Sequence, residues 1–406
     1  MEYYQLDNGV KIIYKNIQSK LTSISIGLDA GAAVEKNIMG VAHATEHMVF
    51  KGTKTRNEQE INKIFHKNFA FHNAMTNYSY VIYYGSLLEE DFEIGIDILS
   101  DILINPVFPK EGFKEEMDVI IQELKEWDED IEQYCEDRLF FNAFNENRLK
   151  YPIIGSVQGL KNMTLEDLRE FYKENYVPSN TSIAVVSSLD FNSVKETINR
   201  FFGRWKFRKR NKIISSSERP KKGIFVEEKD GIKVSRVEII FPIKELSEIQ
   251  LKMFKLFDAY FCVGADSVLF DKLRTKNGLV YDVCSEIDYD KDVKLYKIMF
   301  TTSKKNVKKA IKLVKESIKE VKKDAASLDE ERIKELCKNI KLRKLFKEEQ
   351  SIQIAKEISK YSVMFNDYKV YENMLENMNN ILVKEMLAIG DEVLKQATIQ
   401  VINPRE

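Results

Sequence analysis

Gly40-Val41-Ala42-His43-Ala44-Thr45-Glu46-His47-Met48-Val49-Phe50-Lys51-Gly52-Thr53 holds two of the four histidines in this 406-residue chain. They stand four apart, so on a helix both imidazoles leave one face, a turn apart. The spacing predicts a helix over 39–50. Two neutral imidazoles placed this way fit two corners of a zinc tetrahedron. Glu46 lies on the neighbouring side of the same turn, within reach of a water on the ion rather than of the ion. Zinc acidifies such a water toward a pKa of ~7, and a carboxylate beside it can take the proton as the water attacks a carbonyl. The plainer reading is a helix with two surface histidines. Its apolar neighbours speak against that, because unpaired polar groups are costly there.

A catalytic zinc takes a third protein ligand and keeps one position open. His66 stands with Lys63 and Lys67 and reads as a surface residue. His72 precedes Asn73-Ala74-Met75-Thr76 and can approach the site. Glu116 and Glu123 are seven apart in the helical stretch 111–142, hence on one face, among Met117, Val119, Ile120, Ile121 and Leu124. A buried carboxylate there requires a partner, and a metal is one. Two solvated glutamates fit the same spacing, so spacing alone leaves the third ligand open.

Outward from the motif the chain reads as two related halves. Asn8-Gly9 between short apolar segments predicts a hairpin with a type I′ turn. Strands are expected at 22–28, 78–88 and 182–187, and helices at 58–68, 92–103, 111–142 and 164–175. The order returns coarsely with strands at 234–241, 279–287, 294–302 and 398–402, and helices at 250–272, 307–321, 329–346 and 383–394. Between the halves, Lys206 to Lys222 is basic, then serine-rich, then reaches Pro220. No aromatic residues interleave in a nucleic-acid-binding pattern, so it reads as a linker. The expected division is 1–208, a linker at 209–222, and 223–406. The lysine-rich stretch 304–347 reads as the wet face of helices.

Bulk properties exclude several classes. The 63 basic and 64 acidic residues leave a net charge of −1, which points to neither nucleic acid nor an anionic membrane. Hydrophobic residues at 44% and charged residues at 31% suit an ordinary soluble globular chain. No run approaches the ~20 apolar residues of a membrane span. No basic segment followed by an apolar run opens the sequence. Cys135, Cys262, Cys284 and Cys337 show no paired spacing, as expected in a reducing compartment. The expectation is a cytoplasmic protein.

The motif and its surroundings resemble the pitrilysin family, also called the insulinase or M16 family, over nearly the whole chain. Gly40 to Thr53 is close to the family's signature. The family's third ligand is a Glu about 76 residues past the second His in E-x-x-V-I-x-x-E; Glu123 lies 76 residues after His47. The resemblance thus makes His43, His47 and Glu123 the ligands of one zinc per chain, Glu46 the base, and Glu116 a support behind the ligands. Asn73-Ala74-Met75-Thr76 resembles the N-A-x-T segment that lines the family's cleft, implying that Asn73, Ala74 and Thr76 meet a peptide substrate. Leu273-Arg274 through Gly278-Leu279-Val280-Tyr281 resembles the segment that supplies an Arg and a Tyr to hold substrate and oxyanion. By residue type alone Arg274 and Tyr281 are ordinary.

Two departures stand out. Ala44-Thr45 replaces a common aromatic-Leu pair, and Phe69-Ala70-Phe71-His72 stands where glycines are frequent. The resemblance further implies an α+β fold of two homologous domains, each a mostly antiparallel sheet with helices on one face. It implies a dimer enclosing a chamber for unfolded peptides, either a homodimer or a pair with a related metal-less subunit, with no nucleic-acid or membrane partner. The expected activity is zinc-dependent peptide hydrolysis. The alternatives are a non-cleaving binding or scaffold subunit of a related heterodimer, and a zinc hydrolase of a non-peptide substrate.

Overall fold

Apolar alternation carries two sheets. The computed structural model describes residues 1–208, 218–243, 245–321 and 328–405; of the expected linker, 209–217 lie outside them. In chain order the strands are β1 (Glu2–Gln5), β2 (Lys11–Asn16), β3 (Leu21–Leu28), β4 (Phe69–Thr76), β5 (Val81–Leu88) and β6 (Thr181–Ser187), then β7 (Gly223–Lys229), β8 (Ser235–Pro242), β9 (Val280–Tyr289), β10 (Lys294–Thr302) and β11 (Thr398–Pro404). The longer helices begin with α1 (Val41–Met48), α2 (Glu58–Asn68), α3 (Phe92–Ile104), α4 (Phe113–Glu129), α5 (Ile131–Ala143), α6 (Leu165–Asn175) and α7 (Phe191–Phe202). They continue with α8 (Glu248–Phe261), α9 (Val307–Glu320), α10 (Glu330–Glu348), α11 (Ser351–Phe365) and α12 (Val383–Val393).

The chain packs as two units, and neither is one continuous stretch. The first comprises Met1–Glu126, Tyr151–Ser215 and Lys347–Glu372; the second comprises Trp127–Lys150, Ser216–Phe346 and Asn373–Glu406. The first unit's sheet runs β1-β2-β6-β3-β5-β4 and the second's β7-β11-β8-β10-β9. Among the described strands only β2 with β6 and β7 with β11 pair in parallel. The fold is therefore α+β with mostly antiparallel sheets, as expected.

In the first unit both faces of the sheet are covered, not one. Ile24 faces α3, where a Cβ added to Gly95 would stand 3.4 Å from its Cδ1. The alternate residues Ser23 and Ser25 face the other way and meet Ser351 and Ser359 of α11 at 2.8 and 2.7 Å. Ser182 of β6 meets Ser362 at 2.9 Å. The helix lies close because Gly27 offers no Cβ; one there would stand 3.0 Å from Val363. A strand alternating isoleucine with serine reads from sequence as half solvated, yet here the serine face is roofed by a helix from late in the chain.

The second unit repeats this with charges. An apolar core including Phe241, Phe254, Phe257, Tyr296 and Phe300 fills one side of the sheet. The other side meets α5 through Lys297–Glu136 at 2.7 Å, Arg236–Glu132 at 2.9 Å and Arg138–Glu227 at 2.7 Å. The expected helical stretch 111–142 is accordingly two helices. Asp130 breaks it by accepting from the N–H groups of Glu132 and Gln133, the N-cap role. The stretch 250–272 also divides, beyond Phe261, where Gly264 takes φ +103°.

Most other elements match within a few residues. The hairpin of β1 and β2 forms, with Glu2 opposite Tyr14, but without a type I′ turn. Gly9 has φ +98° whereas Asn8 does not enter the left-handed region. The Asn8 amide instead donates to the carbonyls of Phe202 and Trp205. Strands β4 and β7 and helices α7 and α11 were not among the expected elements.

Candidate metal centre

Helix α1 starts abruptly because Gly40 takes φ +89° as its N-cap. Its first turn leaves backbone N–H groups without helical partners. The Glu35 carboxylate accepts from two of them, Gly40 at 3.1 Å and Ala42 at 2.9 Å. An acidic group there also complements the helix dipole. Sequence inspection gave no signal for Glu35, since the loop places it.

His43 and His47 project together from α1, ring centroids 4.6 Å apart. Glu123 of α4 closes the set, with Oε1 3.7 Å from His43 Nε2 and Oε2 3.5 Å from His47 Nε2. One donor atom from each of the three lies within 4.8 Å of the others. A tetrahedral zinc with bonds of about 2.1 Å has ligand-to-ligand edges of about 3.4 Å. The two carboxylate distances match that edge, and two imidazoles with one carboxylate are a donor set zinc favours. The residues fit the ion. His72, the other histidine weighed for the site, is exposed on β4, its ring 4.4 Å from that of Phe65. His66 is exposed on α2.

Behind the donors runs a chain of ion pairs. His47 Nδ1 meets Glu116 Oε1 at 2.8 Å, Glu116 Oε2 meets Lys51 Nζ at 2.5 Å, and Lys51 reaches Glu58 at 2.8 Å. Such partners fix the imidazole's tautomer and orientation. Lys51 was missed in the sequence, though it stands four after His47 and so on the same face. Burial works against a charge on His47, but Glu116 and Glu123 outweigh it and hold the ring up to about 9 when a proton rather than a cation sits there. Burial, then His47 itself, pushes His43 down to about 4. Among the described residues His43 Nδ1 is buried with no hydrogen-bond partner, so this ring lacks the support its neighbour has.

Glu46 is buried beside the donors and is not one of them. Thr76 Oγ1 donates to its Oε2 at 2.5 Å. Burial pushes the Glu46 carboxyl up to about 7, against the Thr76 bond and the nearby His47. Thr76 ends β4, which forms one margin of the sheet. It is itself buried, while Asn73 is exposed and Ala74 half-buried on the same strand. The resemblance gave all three a substrate-lining role, whereas the structure points the threonine at Glu46. The segment Phe69-Ala70-Phe71 keeps the strand path by a bulge between Phe69 and Phe71.

Arg274 and Tyr281 belong to the second unit. Tyr281 on β9 is 81% exposed. The Arg274 guanidinium carbon sits 5.0 Å from its ring centroid, a cation–π contact.

These features place the protein among α+β chains of two like-built units whose first unit bears a His-His-Glu centre. More particularly, it belongs to the insulinase family, M16. The family model described as insulinase (peptidase family M16) matches residues 11–157, and that described as peptidase M16 inactive domain matches residues 162–339. An uncharacterized zinc protease of Rickettsia felis is 24% identical over 404 residues, covering 98% of this chain and 96% of its own. The uncharacterized zinc protease YmxG of Bacillus subtilis is 23% identical over 97% of this chain and 95% of its own. The mitochondrial-processing peptidase subunit beta of Saccharomyces cerevisiae is 32% identical over 49% of this chain and 44% of its own. A protease from Helicobacter pylori shares the fold, with a TM-score of 0.88 at 20% identity over 99% of both chains. No described helix is long and apolar enough to cross a membrane.

Proposed function

We propose that this chain is a zinc endopeptidase acting on extended, unfolded peptides, with Glu46 as the general base. The observation that carries the reading is a buried glutamate, aligned by Thr76, next to a His-His-Glu donor set. Bound there by His43, His47 and Glu123, zinc supplies Lewis-acid polarisation of the scissile carbonyl and acidifies water.

The chain's own residues do the rest. The peptide adds to the outer side of β4 as a further strand, with Asn73 and Ala74 along its path. Glu46 takes the proton of the attacking water and delivers it to the leaving amine, a task suited to a carboxyl near neutral pH. Glu116 and Lys51 hold His47 in register. By resemblance, Arg274 and Tyr281 grip the substrate and its developing oxyanion. A chamber formed by two such chains, or by this chain and a related subunit, would admit unfolded peptides and reject folded domains.

Glu46→Gln tests the reading. Zinc content should stay at one per chain while turnover of an unfolded peptide pool falls by about 100-fold or more. Retained turnover in that variant would remove Glu46 from the role. A wild-type chain that binds zinc and cleaves nothing in the pool would favour the scaffold subunit instead.

A further inference from the structure

The two sheets are built on one plan. From β2 the first runs β2-β6-β3-β5-β4, and the second runs β7-β11-β8-β10-β9, each opening with a parallel pair. Helix α3 follows β5, and α9 follows β10 at the equivalent place. In the first unit, α7 covers the crevice between β2 and α3. Its Phe191 ring lies 5.6 Å from that of Tyr14 on β2, and its Arg200 pairs with Glu93 of α3 at 3.0 Å. Val194, Ile198 and Phe202 of α7 are buried. They form one stripe, four residues apart.

Among the described residues, nothing covers the matching crevice of the second unit. Ile224 and Val226 of β7 are 51% and 59% exposed. With Val307 and Ile311 of α9 and Val401 of β11 they line a groove of about 680 Å³. Lys308, Lys312, Lys315 and Lys319 also line it, in a stripe along α9, and Glu316 is the one acidic residue among the described lining. Adjacent bare apolar side chains rimmed by charge mark interaction surfaces. Where α3 is acidic, its covering helix brings an arginine. With α9 basic, the complement is acidic.

We infer that this groove docks an acidic amphipathic helix of a partner protein. The helix sits as α7 sits on the first unit, with three apolar side chains four apart in the crevice and carboxylates beside the lysine stripe. This is helix-in-groove recognition, and it does not depend on the peptidase reading.

The test uses the full chain and a fluorescent synthetic helix of about four turns. The peptide carries Val, Ile and Phe four apart and glutamates on its flanks; a twin carries lysines instead. Anisotropy should show binding of the acidic peptide with a Kd of about 1–100 μM, weakened by salt, and binding of the twin at least about tenfold weaker. Val226→Glu should weaken the acidic peptide at least about tenfold, and so should the double variant Lys312→Glu, Lys315→Glu. Both should keep wild-type melting and peptide turnover; if Val226→Glu misfolds, the lysine pair carries the comparison. The inference fails if the acidic peptide does not bind by about 1 mM, if the twin binds equally, or if the lysine variant changes nothing. Phosphatidylglycerol vesicles are the competing probe: retention on them that the lysine variant abolishes, without peptide binding, makes this a lipid site and overturns the helix.

Discussion

Glu46 and His47 are neighbours in the chain with opposite electrostatic settings. Burial lifts the carboxyl to about 7, whereas Glu116 and Glu123 hold the imidazole up to about 9. Thr76 tempers the first by donating to the charged form of Glu46. Thr76→Val should therefore raise the acid limb of the rate profile and lower kcat on the order of tenfold, with zinc content unchanged. An unaltered profile would mean that Thr76 only packs. The second setting governs metal uptake. Zinc must displace the His47 proton, so below about 9 affinity rises as pH rises, by at most about tenfold per unit, and levels off above it. Chelator competition at pH 6.5, 7.5 and 8.5, corrected for the chelator's own protons, should show that climb; a flat response would contradict the proton-bound site. These residues were largely legible in the sequence because a helical repeat of four fixes His43, Glu46 and His47 by local geometry. Glu116 and Glu123 needed the family resemblance, since seven-residue spacing alone does not say what faces them. Glu35 and Thr76 reach their partners through loops and strand ends, which local pattern does not encode.

Helix α1 depends on a crossing of two chain segments. A Cβ on Gly40 would stand 2.6 Å from the Ile154 carbonyl oxygen, and one on Gly155, itself at φ +90°, would stand 2.7 Å from that of Met39. Gly40→Ala therefore adds a backbone clash to the ~1–2 kcal/mol of a left-handed alanine. It should lower Tm by several degrees and reduce zinc uptake together, because α1 carries both histidines. Gly112, at φ +77° with open space around it, is the control: alanine there meets only the conformational cost. Calorimetry of the two variants separates clash from conformation, and equal losses would show that the crossing contributes nothing. At this scale the sequence shows a strand but not what covers it. Strand β3 was recognised from Ile24 and Ile26, while the roof over its serines was not. Strand β7 was missed because its alternating Ile224 and Val226 follow a basic segment and sit on an exposed crevice.

The whole molecule is assembled by exchange. Helix α11, from the late part of the chain, roofs the first sheet, and α5, from the early part, lies on the second. The division expected from sequence, 1–208, would carry every residue of the metal centre yet lack that roof. A fragment of residues 1–208 should melt without cooperativity and bind zinc weakly, and a synthetic peptide of residues 347–372 should restore both. Cooperative unfolding of the fragment alone would show the roof to be dispensable. The exchange also sets a timetable during synthesis. Phe365 emerges 178 residues after Ser187 completes the first sheet. At roughly 5–20 residues per second, the ribosome leaves that sheet uncovered for about 10–35 s. The waiting surface mixes Ile82 and Tyr84 with Ser23, Ser25, Ser86 and Ser182, hydroxyls that water can satisfy until the helix arrives. A fully greasy face in the same position would invite nascent chains on one polysome to stick to each other.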